Sequence, residues 1–79
     1  MSIAELVVAE DDSRFDFLRR VALYTGKEGK EGTVYFHGGT KKSGIVEVRK
    51  NALCIYLSLD GGNIFKVKYK SIKRVKIIE

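Results

Sequence analysis

The sequence has no tryptophan, no proline and no glutamine, and its 79 residues include a single cysteine, a single histidine and a single methionine. Each scarcity closes a class of protein. Cys54 alone cannot form an internal disulfide, and Cys54 with His37 falls short of the four ligands of a structural zinc site. No apolar run approaches the roughly 20 residues of a membrane-spanning helix. The first residues carry no basic segment and meet Glu5 before any apolar run develops, unlike a secretory leader. These features imply a cytoplasmic protein with no membrane partner, where one free thiol is ordinary. Catalytic groupings are missing too. His37 sits in a His37-Gly38-Gly39 turn with no nucleophile at a fixed spacing, and Cys54 has no nearby histidine to activate its thiol. Gly26, Gly29 and Gly32 recur at intervals of three, but they follow a helical pattern and precede no phosphate-binding lysine. A binding protein is expected, with no cofactor and no enzymatic activity.

What is present is a well-mixed, folding-competent composition with 44% apolar and 32% charged residues. The length allows one domain over residues 1–79, whose core is small enough for self-association to be a natural source of added stability. The net charge of +5 is unevenly placed. Residues 1–40 hold five Lys/Arg against seven Asp/Glu, whereas residues 41–79 hold ten against three. Clustered lysine beside a mildly acidic half favours a polyanion as partner, the competing interpretation being a lysine surface kept for solubility.

Residues 13–25 read as a helix. Phe15, Leu18, Val21 and Ala22 recur at three- and four-residue spacing, Ser13 is a suitable N-cap with Asp16 three residues on, and Gly26 suits the C-terminal position. Phe17 and Leu23 fall off that stripe as half-buried core edges or an interface patch. Residues 1–12 contain Ile3 to Val8, which fits either a helix or an edge strand, or else remains flexible until it meets a partner. Beyond a connector from Gly26 to Gly32 the period becomes two. Glycine- and asparagine-bearing breaks then delimit five strands within residues 33–79: Thr33 to Phe36, Ser43 to Arg49, Leu53 to Leu59, Ile64 to Lys70 and Arg74 to Ile78. Gly38-Gly39, Lys50-Asn51 and Asp60 to Asn63 suit hairpin turns. The expected fold is mainly β: an N-terminal helix, then a five-stranded antiparallel sheet bent strongly into a small barrel. Its edges at the fourth strand and at Arg74 to Ile78 would be open for pairing between subunits.

One chemical feature rises above this background. Lys66, Lys68 and Lys70 alternate with Phe65, Val67 and Tyr69, so a continuous strand would project them from one face at about 6.6 to 7 Å intervals, close to phosphate spacing. Lys73, Arg74 and Lys76 would extend the patch, Arg49 and Lys50 would flank it, and Tyr56 or Tyr35 would offer a surface for base stacking. The alternative role for such lysines is to protect an exposed edge strand from aggregation.

A helix followed by five meandering strands resembles the Sm-like family, including its Hfq-like branch, over roughly Phe15 to Ile78. The nearest local matches are Val34-Tyr35-Phe36 before a glycine turn, Lys42-Ser43-Gly44-Ile45-Val46 with its glycine opening a bent strand, and Leu53-Cys54-Ile55-Tyr56-Leu57. Val67 to Val75 is similar to the family's second motif, a strand, a short turn and a final strand. The turn Arg49-Lys50-Asn51 replaces the family's acidic residue, leaving Asn51 alone to match, and Lys68-Tyr69-Lys70 stands where the family has other residues. The resemblance implies a homo-oligomeric ring that binds RNA, without implying a base-recognition code. DNA is the second choice, since SH3-like chromatin barrels share the strand economy. The reading from a different class is a protein-interaction module in which Phe17, Leu23, Cys54 or Ile78 builds an oligomer.

Overall fold

A computed structural model describes residues 2–11, 13–49, 54–59 and 62–79. Strand β1 (Ile3–Val7) leads to helix α1 (Arg14–Thr25). Strands β2 (Lys30–Phe36), β3 (Lys41–Arg49), β4 (Cys54–Ser58) and β5 (Ile64–Val67) follow, then a 3₁₀ turn (Tyr69–Ser71) and β6 (Ile72–Ile78). The helix starts and stops as its capping residues dictate. Ser13 is extended and its hydroxyl accepts the Asp16 N–H at 3.1 Å, while Gly26, at φ 66°, donates its N–H to the Ala22 carbonyl.

The face that α1 buries differs from the expected stripe. Phe17, Leu18, Val21 and Thr25 are buried, whereas Phe15 is 49% exposed. Both stripes satisfy helical spacing; the choice falls to tertiary partners, because Phe17 meets the ring of Tyr69 at a centroid distance of 6.0 Å. Phe17 is therefore a core residue and cannot serve as an interface patch.

The sheet is antiparallel throughout, with six strands in the order β1-β6-β2-β3-β4-β5. Two expectations are corrected here. Ile3–Val7 is a strand, and it pairs along β6 from Ile3 opposite Ile78 to Val7 opposite Arg74, so the Arg74–Ile78 edge is covered by the chain's own N-terminal segment. The pairing is extended at both ends, by Glu79 N–H on the Ser2 carbonyl at 3.0 Å and by Val8 N–H on the Lys73 carbonyl at 3.2 Å. With that side of β6 occupied, β5 has no edge to close against, and the expected five-stranded closed barrel is instead an open six-stranded sheet. Leu6 and Val8 pack on the core while Ile3, Glu5 and Val7 face out, an alternation that settles strand over helix.

Boundaries shift for identifiable reasons. The supposed connector contributes Lys30, Glu31 and Gly32 to β2, where Gly32 faces Gly44 on one side and Ile77 on the other. A side chain on Gly32 would run into the Lys76 backbone carbonyl, so the three strands approach there only because the residue has none. Strand β5 stops at Val67, three residues short of Lys70. Val67 and Ile72 are both buried, and the interval from half-buried Tyr69 to Ile72 is three, so one tight turn places all three inward where a strand would expose Ile72. The turn is closed by Ser71 N–H on the Lys68 carbonyl at 3.0 Å.

The core joins helix and sheet, with Phe17, Leu18 and Val21 against Val34, Val46, Ile55, Leu57, Val67, Ile72, Val75 and Ile77. Cys54 is a free thiol with 6% exposure, in keeping with a packing role. The expected turns at Lys50-Asn51 and Asp60-Gly61 lie outside the described residues. Gly39 and Gly62 adopt φ of 88° and 83°, as tight turns require.

Candidate nucleic-acid interface

The break between β5 and β6 rearranges the lysine row. Lys66 remains on β5, Lys68 precedes the 3₁₀ turn and Lys70 lies within it; all three are exposed. They do not project from one strand face as expected. Instead they border one cleft of about 580 Å³, together with Arg14 from the start of α1 and with Cys54, Val67, Tyr69 and Ser71. Among the described residues, four cations and no carboxylate line it. Such a volume lies in the usual range for ligand sites, and its walls combine charge at the rim with apolar surface from Val67 and Tyr69. Cations gathered around one concavity reinforce one another in attracting an anion.

Arg14 is the residue that reading the sequence missed, since the helical pattern gives it no role beyond a polar position near the N-terminus. One weak signal was available. A cation at the first helical position opposes the helix dipole, a local cost of about 0.3 to 1 kcal/mol that a functional position can tolerate. Its approach to Lys66, more than 50 residues away along the chain, is otherwise a product of tertiary structure.

The remaining candidates divide into two groups. Tyr56 on β4 lies opposite Lys66 on β5 and opposite Glu47 on β3, and the Arg49 guanidinium covers its ring at 4.2 Å while reaching Glu47 at 3.7 Å. This row adjoins the cleft through Lys66, and one face of Tyr56 is already taken by Arg49. Lys50 and Asn51 lie outside the described residues. Lys73, Arg74 and Lys76 belong to β6, which β2, β3 and β4 separate from β5 in the sheet. Arg74 is engaged: its Nη1 donates to Glu5 Oε1 at 2.8 Å and its guanidinium lies 4.3 Å from the Tyr35 ring centre. Lys76 approaches the same ring at 5.4 Å, so Tyr35 sits under two cations and does not face the cleft residues.

A second concavity of about 500 Å³ is apolar in character, bordered by Phe15, Leu18, Leu23 and Val48 with Arg19 and Lys27 at its rim. His37 is exposed in its turn, and its N–H donates to the Ser71 carbonyl at 3.1 Å. Among the described residues, no group of three His, Cys, Asp or Glu is placed to hold a metal ion, and no helix is long and apolar enough to cross a membrane.

In comparisons with known proteins, no family model, no curated protein and no solved structure matches the chain.

Proposed function

We propose that this chain binds nucleic acid through phosphate contacts in the cleft formed by Arg14, Lys66, Lys68 and Lys70, with RNA ahead of DNA and with no catalytic step of its own. The observation that carries the reading is the convergence of four cations from two distant segments on one concavity that no carboxylate lines among the described residues. A surface kept only for solubility gains nothing from gathering its lysines around a cavity, whereas a polyanion gains counterion release from each contact. The preference for RNA comes from the Sm-like resemblance. That resemblance is supported by an N-terminal helix, five successive antiparallel strands from β2 to β6, a glycine inside β3 and a short turn before the last strand. In this reading the five strands are an opened, Sm-like or SH3-like small barrel to which β1 has been added. Arg49 and Tyr56 extend the cleft along the outer face of the sheet, and the Arg74–Glu5–Tyr35 cluster holds β1 in place.

The test is a salt titration of binding to single- and double-stranded oligonucleotides of one sequence. Four neutralised phosphates predict that log K falls against log salt with a slope of about −3 for a single strand. Affinity that stays flat from low to high salt would defeat the proposal.

A further inference from the structure

We infer that the apolar concavity between α1 and β3 is a second binding site, whose ligand is a free medium-chain carboxylate: an apolar tail held between helix and sheet, and one anionic head at the rim. It is separate from the cationic cleft, with which it shares no lining residue. The site forms where α1 packs on β3. Buried Leu18 with half-buried Ala22 and Val48 makes its inner surface, and Phe15 and Leu23, 49% and 79% exposed, stand at its mouth. Those two lie about 12 Å apart along the helix and bracket the opening. A single exposed apolar side chain is ordinary on a protein surface. Two that open onto one apolar concavity of about 500 Å³ make a continuous surface of the kind a ligand covers.

Charge decides the head group. Arg19 and Lys27 are exposed at the rim, and among the described residues no carboxylate lines the concavity. The Arg19 guanidinium lies over the Phe15 ring at 4.4 Å, which holds it at the mouth. Among the described residues Arg19 makes no ion pair, so its N–H groups remain available to a carboxylate, whose two oxygens match the guanidinium fork. Lys27, just past the end of the helix, adds a second positive charge. Beside it, Gly26 has nothing within 4 Å of the point where a side chain would begin, which leaves that side of the rim open. Shape then decides the rest of the ligand. The volume suits a chain of about 8 to 12 carbons. A bilayer takes up apolar groups that project together from a protein surface, whereas these walls turn inward. A second copy placed symmetrically on this patch would bring the Arg19 and Lys27 of both copies together with no lining carboxylate between them.

The experiment is calorimetric titration of the full chain with octanoate, decanoate and dodecanoate below their micelle concentrations, with octanol as the neutral probe and acetate as the head group alone. Affinity should rise about threefold to fourfold for each added methylene, as burial of the tail requires. Octanol should bind at least about tenfold more weakly than octanoate, and acetate at equal concentration should give no signal. Leu23→Asp sets a carboxylate at the mouth on a side chain that is already 79% exposed, and Arg19→Gln with Lys27→Gln removes the rim charge. Each variant should keep its circular dichroism spectrum and the salt slope of oligonucleotide binding, and should weaken decanoate about tenfold or more. Leu23→Ser substitutes for Leu23→Asp if the latter does not fold. The inference is overturned if none of the three carboxylates binds, if octanol binds as tightly as octanoate, or if both sets of variants bind like the wild type. Vesicles of equal parts phosphatidylcholine and phosphatidylserine should leave the chain in solution. Co-sedimentation with them that Leu23→Asp abolishes would assign the patch to a membrane surface and overturn the inference, as would a dimer that Leu23→Asp dissociates.

Discussion

At the scale of single residues, two positions separate stability from binding. Gly32 is wedged between β3 and β6, and a methyl group there meets the Lys76 carbonyl, so Gly32→Ala should cost about 1 to 3 kcal/mol through displaced backbone. Gly38→Ala, which has open space around it, should cost within about 0.5 kcal/mol in the same chemical denaturation. Arg74 is basic and was expected in the binding patch, yet its guanidinium is spent on Glu5 and Tyr35 and its Nε is buried with no hydrogen-bond partner. Arg74→Ser should therefore cost about 1 to 2 kcal/mol of stability, from a partly exposed ion pair and a cation–π contact, while the salt slope of oligonucleotide binding stays unchanged. A slope reduced by about one unit would place Arg74 at the interface after all. Charge could be read from the sequence at this position; its engagement could not, because Glu5 is 69 residues away.

Among the elements, the helix and most of β3, β4 and β6 were legible because capping chemistry and period-two alternation are local properties. What escaped was set by contacts between elements. The helix offered two stripes that share Leu18 and Val21, and only the Tyr69 ring decides that Phe17 goes inward and Phe15 outward. Phe17→Ala should then remove about 3 to 5 kcal/mol, enough to unfold a domain this small, whereas Phe15→Ala should cost no more than about 1 kcal/mol, chiefly its contact with the Arg19 guanidinium at 4.4 Å. Comparable losses would restore the stripe expected from spacing. The end of β5 carried a clue of the same kind: an unbroken Lys-apolar alternation from Phe65 to Lys70 suggested one strand, but the three-residue step from Tyr69 to buried Ile72 already marked a turn. Strand β1 was ambiguous because five residues satisfy two periods equally, and β6 supplies the edge that decides.

For the molecule as a whole, the question is whether its basic half acts as a site or merely as net charge. Replacing Lys66, Lys68 and Lys70 together by Ser leaves polar, exposed side chains at positions that contribute nothing to the core, so the melting temperature should barely move. Binding should respond strongly. Each lost phosphate contact removes about 0.7 of a unit of salt slope for a single strand, so three should leave little of an initial slope near −3, and adding Arg14→Ser should abolish it. Lys27 and Lys30 are the matched control: both are exposed, Lys27 follows the helix and Lys30 begins β2, and neither borders the cleft. Their replacement by Ser lowers net charge by two without touching the proposed contacts and should leave both slope and affinity nearly unchanged. If the two sets of substitutions weaken binding in proportion to the charge removed, the protein attracts nucleic acid only through its overall field, and the convergence of Arg14 on the lysines has no functional meaning. If the cleft substitutions alone flatten the titration, the 3₁₀ turn that ends β5 early is what makes the site, since a continuous strand would have spread the same lysines along an edge.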